Sequence, residues 1–234
     1  MFIIIDGIDG SGKSTIINNW TTYLRSQNKK IFILKDYWRE FHTHPTFAEI
    51  EKYDVVISAE PTNVWTGLAI REELIKNGND YPAETIAEAY ALDRFMLYRR
   101  LIIPYLNLGK IVIQDRGVST SLCYQPIQSQ NLSMDDVAVI EGNALALKHA
   151  PDHLVIADVP AEIALARLDE RTDKQDTAIF EKLDFLQKAR TKFTDENYLS
   201  YFKKQGTKIH ILDTNEKVDI MESIAVRLLE EMLS

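Results

Sequence analysis

Eight consecutive residues near the start of the chain have the types and spacing of a phosphate-binding loop. Residues 7–14, Gly-Ile-Asp-Gly-Ser-Gly-Lys-Ser, match the pattern G-x-x-x-x-G-K-[ST] in full. Glycines let backbone N–H groups turn towards phosphate oxygens, and the N-terminus of the following helix adds a partial positive charge. Lys13 is predicted to lie near the β- and γ-phosphates, and the Ser14 hydroxyl is predicted to hold Mg²⁺.

The surroundings of this stretch support the same interpretation. A chance glycine turn is the alternative, but an apolar run precedes the stretch and a helical pattern follows it, as the motif requires. The motif predicts ATP or GTP chemistry and does not identify the acceptor. The residues predicted to bind the nucleotide phosphates are Gly7, Asp9, Gly10, Ser11, Gly12, Lys13, Ser14 and Thr15.

A second pair with chemical potential, Asp115-Arg116, follows another run of β-branched residues. A carboxylate at this point could reach Mg²⁺ beside the phosphate loop, and an arginine could bind an incoming phosphate through two hydrogen bonds. Alone, the pair fits a helix cap or a surface ion pair equally well. Because it follows the fourth predicted strand of a phosphate-loop fold, we predict that Asp115 is a metal ligand together with Ser14.

Short apolar runs alternate with amphipathic stretches along the chain, which predicts an α/β fold with an open, mostly parallel sheet and helices on both faces. We expect one three-layer domain over residues 1–234. Ligands of such sheets bind at the carboxyl ends of the strands. The predicted strands cover residues 2–5, 31–34, 55–57, 110–114, 153–157 and 208–212, and the predicted helices cover residues 13–26, 67–76, 83–106, 161–170, 178–201 and 218–233.

The composition excludes several classes of protein. The chain of 234 residues carries 27 basic and 35 acidic residues, and its net charge of −8 argues against a protein that coats nucleic acid. Its single cysteine, Cys123, allows no intrachain disulfide. The first apolar run is too short for a signal peptide, and no run approaches the roughly 20 residues of a membrane span. We therefore expect a soluble, cytoplasmic protein that binds neither nucleic acid nor membrane.

Several motifs occur in the order found in thymidylate kinases, and the chain resembles that family over most of its length. They are the phosphate loop, Glu60-Pro61, Tyr90-Ala91-Leu92-Asp93-Arg94, and the segment from Asp115-Arg116 to Tyr124-Gln125. The resemblance implies transfer of the ATP γ-phosphoryl group to the 5′-phosphate of dTMP, with Mg²⁺ as cofactor and a homodimer as the assembly. It places the acceptor-binding region at about residues 36–106.

The resemblance also implies roles around the reacting phosphates. Asp9 matches a carboxylate that binds the sugar 3′-hydroxyl and lies close to Mg²⁺. Arg116 matches the arginine that binds the acceptor monophosphate, and Asp115 matches the carboxylate beside the magnesium. Pro61 matches a proline that shapes the acceptor pocket. Arg71, on the helix that follows, is expected to reach the acceptor phosphate.

Four further positions match residues that contact the nucleoside. Tyr90 matches an aromatic residue that stacks on thymine, and Arg94 matches an arginine that hydrogen-bonds a thymine carbonyl. Their spacing of four residues puts both on one helix face. Ser121 matches a polar residue facing the base edge, and Tyr124 matches a tyrosine that crowds the sugar 2′ position. The alternatives are core packing for the two tyrosines and an exposed ion pair for Arg94.

A lid is expected at about residues 166–180. Arg167 and Arg171 lie four residues apart and share a helix face, so together they could neutralise charge on the transferring phosphoryl group. The alternative is ordinary solvated helix charge. Some family members carry an arginine in the phosphate loop where this chain has Gly10-Ser11, so here the lid must supply the cations. The residues predicted to be catalytic are Lys13, Asp9, Arg116, Arg167 and Arg171.

Residues 36–53 form a longer segment than the family has at this point. His42 and His44 are weak candidates for a metal site because no third ligand is evident, and a surface insertion is favoured. Such an insertion could be a flap on the acceptor side or a dimer element.

Three other functions compete with the dTMP assignment. The nearest keeps the chemistry and changes the acceptor to another nucleoside monophosphate or a nucleoside. A GTP-binding switch would carry an Asn-Lys-x-Asp guanine motif, which the chain lacks. A nucleic-acid-stimulated ATPase is disfavoured by the acidic charge and the single predicted domain.

Overall fold

A six-stranded parallel sheet forms the centre of the fold in the computed structural model, which describes residues 1–170, 179–180, 182–216 and 218–234. The strand order is β2-β3-β4-β1-β5-β6, and every neighbouring pair is parallel. The predicted open, parallel sheet is therefore confirmed. The strands are β1 (Phe2–Asp6), β2 (Ile31–Ile33), β3 (Val55–Ala59), β4 (Ile111–Asp115), β5 (His153–Asp158) and β6 (Lys208–Asp213).

Helices connect these strands. The segments Ile70–Leu74 and Tyr98–Ile102 are π-helical turns that continue the helices before them. The helices are α1 (Lys13–Ser26), α2 (Leu34–Phe41), α3 (Phe47–Ile50), α4 (Trp65–Ala69), α5 (Ala83–Leu97), α6 (Ile103–Asn107), α7 (Val118–Gln128), α8 (Met134–Val139), α9 (Glu141–Lys148), α10 (Ala161–Asp169), α11 (Leu183–Phe193), α12 (Glu196–Lys203) and α13 (Val218–Leu233).

Each face of the sheet has its own hydrophobic core, as the three-layer prediction requires. On β1, Ile3 and Ile5 join the core formed with α1 and α13, whereas Phe2 and Ile4 join the larger core on the opposite face. This alternation follows from the two-residue period of a strand. It also explains why β1 is apolar at four successive positions, since both of its faces are covered.

The structure differs from the predicted elements mainly between the strands. Strand β2 ends at Ile33, one residue before its predicted end, and Leu34 already belongs to α2, a helix that was not predicted. Three helices between β4 and β5 were not predicted. The predicted helix over residues 178–201 is divided where the Asp195 side chain accepts a hydrogen bond from the Tyr198 backbone N–H at 3.0 Å and starts α12.

The strand order brings three carboxyl ends together. Asp115 at the end of β4 is paired with Ile5 of β1 on one side and with Ala59 of β3 on the other. The residues that follow these strands are the phosphate loop, Glu60-Pro61 and Arg116. The sheet therefore joins motifs that are far apart in the sequence. Among the described helices, none has the length and apolar character needed to cross a bilayer.

Candidate active site

The phosphate loop takes a backbone conformation that requires glycine at two positions. Gly7 and Gly10 have φ angles of 139° and 79°. A Cβ atom on Gly7 would lie 2.4 Å from the carbonyl oxygen of Ala157, and one on Gly10 would lie 2.3 Å from that of Ala164. The loop is therefore packed against β5 and α10, and any side chain at these positions would displace it.

Lys13 folds back over the loop that precedes it. Its Nζ donates hydrogen bonds to the carbonyl oxygens of Gly7 at 3.0 Å and Ile8 at 2.8 Å, and the side chain is buried. Burial, followed by the charge of Arg116, lowers the pKa of Lys13 to about 8. The ammonium remains mostly protonated at neutral pH and lies at the loop where phosphates are expected.

Arg116 is held by the phosphate loop and by its own neighbours. Its Nη2 donates to Asp9 Oδ1 at 2.7 Å, and its Nη1 donates to the Gly7 carbonyl at 3.2 Å. Its guanidinium lies 5.5 Å from the centre of the Tyr124 ring. Burial acts to lower the pKa of Arg116, but the carboxylates of Asp9 and Asp6 outweigh it and hold the pKa above its usual value.

Asp6, which the sequence analysis did not single out, ties these parts together. This buried carboxylate accepts hydrogen bonds from the Gly7 backbone N–H at 2.8 Å and from the hydroxyl groups of Thr120 and Ser119. Burial raises its pKa, and the charge of Arg116 acts in the opposite direction. The sequence feature that could have identified Asp6 is its position as an acidic residue at the end of the first strand, where ligand sites of such sheets lie.

Tyr124 both packs and contacts a polar site residue. Its ring lies within an aromatic group, 5.2 Å from Phe180 and 5.0 Å from Phe185 between ring centres. Its hydroxyl donates to Asp9 Oδ2 at 3.3 Å. The packing interpretation is therefore confirmed, and it holds the phenol beside the carboxylate expected to bind the sugar; the contact of Tyr124 with the sugar 2′ position stays a prediction.

One cleft contains the phosphate loop and most of the predicted acceptor residues. Ser121, which accepts a hydrogen bond from Arg94, is the predicted acceptor residue that is not among the described residues lining it. The predicted residues that line the cleft are Asp9, Gly10, Gly12, Lys13, Ser14, Pro61, Arg71, Tyr90, Arg94, Asp115, Arg116 and Tyr124.

Arg94 is fully buried and makes a network of side-chain hydrogen bonds. Its Nε and Nη2 each lie 2.7 Å from Glu60 Oε2, and its Nη2 also donates to Ser121 Oγ at 3.0 Å. Its Nη1 donates to the side-chain oxygen of Asn143 on α9. The exposed ion pair considered as an alternative is therefore wrong, since both Arg94 and Glu60 are buried. Burial raises the pKa of Glu60 to about 7.

Arg71 and Tyr90 complete the acceptor side of the cleft. The Arg71 guanidinium donates to the carbonyl oxygen of Thr62 at 3.2 Å and to that of Pro61, whose peptide bond with Glu60 is cis. Burial lowers the pKa of Arg71 and raises that of Tyr90 to about 12. Arg71 thus lines the cleft while its guanidinium is fixed by the backbone around Pro61.

At the end of β4, one carboxylate oxygen of Asp115 is bonded and, in the described part of the chain, the other is not. Lys35, which the sequence analysis did not single out, donates from Nζ to Asp115 Oδ2 at 2.9 Å. Within the described residues, the other oxygen, Oδ1, is buried and accepts no hydrogen bond. Ser14 lines the cleft beside both residues. A hard divalent cation that takes oxygen ligands fits this carboxylate and hydroxyl.

A second pocket lies against the same glycines, Gly10 and Gly12, between α1, α10 and the end of β6. Thr15 and Arg167 line it, and Arg167 Nη2 donates to the carbonyl oxygen of Thr214 at 3.0 Å. The cleft with Tyr90 and Arg94 does not include Arg167 among its described lining residues. Arg171 and most of the predicted lid lie outside the described residues.

His44, in the segment over residues 36–53, packs among aromatic side chains. His44 is buried, and its Nδ1 accepts a hydrogen bond from Trp38 Nε1 at 3.2 Å. Its ring meets that of Trp65 edge to face at 4.8 Å. In the described part of the chain, no group of three or more His, Cys, Asp or Glu residues could hold a metal. His44 is thus a packed residue of this segment.

Comparison with known proteins agrees with this geometry. A family model described as thymidylate kinase matches residues 47–224. The chain belongs to the thymidylate kinase family. It is similar to a thymidylate kinase of Acholeplasma laidlawii, with 31% identity over 97% of this chain and 100% of that protein. It is also similar to a probable thymidylate kinase of Thermococcus onnurineus, with 29% identity over 100% of this chain and 98% of the relative.

Five residues at the site were not assigned a role from the sequence. Each of them makes a hydrogen bond to a residue far away in the sequence. Glu60 was noted within a motif without a role, and Asp6 ended a strand. Lys35, Thr120 and Asn143 carried no local signal, because their partners lie 80, 114 and 49 residues away.

Proposed function

We propose that the protein is a thymidylate kinase that transfers the γ-phosphoryl group of ATP to the 5′-phosphate of dTMP, giving dTDP and ADP. The observation that carries the proposal is the cleft that contains both Lys13 of the phosphate loop and the pair Tyr90 and Arg94. A phosphoryl donor and a nucleoside monophosphate could therefore meet in one enclosed space. Membership of the thymidylate kinase family supports the same acceptor.

The reaction needs positioning and charge neutralisation rather than a general base. An oxygen of the acceptor phosphate forms a bond to the γ-phosphorus while the bond from that phosphorus to the β-phosphate oxygen breaks, and ADP leaves. Lys13 and Arg116 are cations on the cleft wall, and their charges favour the approach of two phosphate groups. Asp9 and Asp6 hold Arg116 in place, so its guanidinium is oriented before the acceptor binds.

Base recognition is assigned to the opposite wall. Arg94 can donate hydrogen bonds and cannot accept them, so it favours a base carbonyl over an amino group. This preference distinguishes thymine from cytosine at position 4 of the ring. Tyr90 supplies an aromatic ring in the same cleft for stacking. The Tyr124 hydroxyl on Asp9 is placed to hold that carboxylate for the sugar 3′-hydroxyl.

Mg²⁺ is the cofactor that fits the site. Ser14 and Asp115 would hold it, with Asp115 offering the buried oxygen that is not bonded to Lys35. The ion would neutralise charge on the donor phosphates and orient them.

The two pockets around the loop suggest the direction in which ATP binds. If the phosphates lie on the loop and the acceptor occupies the cleft with Tyr90, the adenosine must extend to the other side. The second pocket, with Asn19 and Arg167 in its wall, is the space there. We therefore assign Arg167 to the ATP side of the loop. The predicted catalytic role of Arg171 stays a proposal, since this residue lies outside the described residues.

We further propose a cytoplasmic homodimer that acts on free nucleotides rather than on nucleic acid. The acidic net charge of −8 disfavours binding to a polyanion, whereas a nucleotide needs only the local cations of the cleft.

The deciding experiment is a coupled ADP-release assay with Mg-ATP and a panel of acceptors: dTMP, dUMP, UMP, dCMP, CMP, AMP, GMP and thymidine. A reaction without acceptor measures background hydrolysis. Preference for dTMP over all others is the expected result. Preference for another monophosphate would retain the kinase and reject the acceptor, and preference for thymidine would identify a nucleoside kinase instead.

A further inference from the structure

Arg94 is restrained from three directions by side chains of other elements. Glu60 follows β3, Ser121 belongs to α7 and Asn143 belongs to α9. All four side chains are at most 4% exposed. An arginine has five N–H donors. Nε, Nη1 and Nη2 each donate one hydrogen bond in the described contacts, and Nη2 also lies 2.7 Å from Glu60 Oε2, so one N–H of Nη1 has no described protein partner.

Asn143 binds the nitrogen that carries this remaining N–H. Its Oδ1 accepts from Arg94 Nη1, and its Nδ2 donates to the carbonyl oxygen of Val137 at 2.7 Å. The second bond determines which way the amide faces, because only the oxygen end is left for the arginine. Asn143 therefore connects the guanidinium plane to the backbone at α8.

The backbone of α9 is also held in position against α5. Gly142, next to Asn143, packs so closely that a Cβ atom there would lie 1.8 Å from the carbonyl oxygen of Ala91. Ala91 is three residues before Arg94 on α5, almost one helical turn away. The contact brings Asn143 to Arg94 and leaves α9 little freedom to move away.

We propose that Asn143 is a positioning residue for acceptor specificity, which holds Nη1 of Arg94 so that its remaining N–H points to a carbonyl of the acceptor base. The proposal rests on the proposed function. It assigns discrimination between thymine and cytosine to a pair, Arg94 and Asn143, of which only the first lines the cleft. Glu60 is the charged partner of the Arg94 guanidinium, and Asn143 fixes the orientation of that guanidinium.

The test compares steady-state kinetics with dTMP and dCMP for the full-length protein and its Asn143 variants. Asn143→Leu removes both hydrogen bonds at similar volume. We expect KM for dTMP to rise on the order of tenfold, the effect of losing roughly one hydrogen bond, with little change in kcat. The ratio of kcat/KM for dTMP to that for dCMP should fall by a similar factor. Calorimetric titration with dTMP should give a parallel rise in Kd.

Asn143→Asp is the conservative variant. It keeps an oxygen acceptor for Arg94 but places its second oxygen against the Val137 carbonyl, so KM for dTMP should rise less than in Asn143→Leu. Thr207→Val is the matched structural control, because Thr207 is buried and donates to the Pro151 carbonyl at 2.7 Å outside the described cleft wall. It should lower the urea midpoint and leave KM unchanged. Asn143→Ala, which leaves room for water, replaces the leucine variant if that variant does not fold.

An unchanged KM in Asn143→Leu, or an equal rise in Asn143→Asp, would overturn the proposal. Failure of the proposed function is a separate result, because it shows in the wild type as a preferred acceptor other than dTMP. The same variants would then be measured with that acceptor, and the KM shift would decide the role of Asn143 in the same way.

Discussion

The phosphate loop and the acceptor wall face one cleft but are built in different ways. The phosphate loop, residues 7–14, is a continuous stretch whose glycine conformations place backbone groups around the ligand. The acceptor wall consists of Glu60 and Arg94, which line the cleft, and of their partners Ser121 and Asn143, which are not among its described lining residues, and it takes each side chain from a different part of the chain. Its members are buried and are joined by hydrogen bonds to one guanidinium.

This difference indicates in which region a substitution can reduce activity without reducing the stability of the fold. On the loop, the charged side chain of Lys13 lies over backbone carbonyls, so its removal costs few other contacts. On the wall, Arg94, the proposed base-binding residue, is also half of a buried ion pair. A buried charge that loses its partner destabilises the fold strongly. Loop variants should therefore lose chemistry first, and wall variants should lose chemistry and stability together.

The largest effect on the loop side is expected from Lys13→Ala. The transferring phosphoryl group would lose a cation, and kcat should fall on the order of 10²–10³-fold, as when one preorganised donor is removed. The free energy of unfolding should fall by about 2 kcal/mol, since Lys13 makes two hydrogen bonds to its own loop that contribute roughly 1 kcal/mol each. Initial rates and urea unfolding measure the two quantities. A large loss of stability would contradict the separation of roles.

Arg94→Leu is the corresponding change in the acceptor wall. It leaves Glu60 buried without its partner, and we expect unfolding free energy to fall by about 3–5 kcal/mol. KM for dTMP should rise in the fraction that folds. Urea unfolding at neutral pH measures the first effect. The comparison between the two regions fails if this variant is as stable as Lys13→Ala.

The double variant Glu60→Leu with Arg94→Leu sharpens this result. Removing both members of a buried ion pair costs much less than removing one, because no charge is left without a partner. The double variant should be more stable than Arg94→Leu alone while remaining impaired with dTMP.

A smaller, pH-dependent effect is expected at His44, which packs against Trp65 at the start of α4. Burial, followed by the charge of Arg100, lowers the pKa of His44 to about 4. The unfolded chain, with a pKa near 6.5, then binds more protons than the folded one. Stability should fall by about 2–3 kcal/mol as the pH decreases from 7 to 4.5. His44→Gln, which keeps an acceptor for Trp38, should lose less stability than the wild type over this range.

The smallest expected effect on stability belongs to Lys35→Met. Lys35 is 42% exposed, so loss of its ion pair with Asp115 should cost less than about 1 kcal/mol. Turnover should fall about tenfold, equivalent to roughly 1.4 kcal/mol, because the cleft loses a cation beside the reacting phosphates. Lys35→Arg should retain most of the activity. Lys52→Met is the control, because Lys52 is an exposed lysine before β3 that is not among the described residues lining the cleft. Equal turnover in both methionine variants would remove Lys35 from the site.

The strands and the loop were predictable because their signals are local. Strand β1 is apolar at four successive positions and is followed at once by glycines at the required spacing. The divided helix over residues 178–201 was not predictable in the same way, since a single cap at Asp195 interrupts a pattern that remains helical on both sides. The helices between β4 and β5 were missed because their buried faces are defined by contacts with α5 and α11.

The sequence by itself determined the phosphate loop, the alternation of strands and helices, and the family of the acceptor motifs, since each depends on residues close together in the chain. Only the tertiary structure decided that Arg94 is bound by Glu60, Ser121 and Asn143, and that Lys35 reaches Asp115. The physical reason is the parallel sheet. It places the carboxyl ends of β1, β3 and β4 side by side, and the partners of each charge then follow from strand order rather than from spacing.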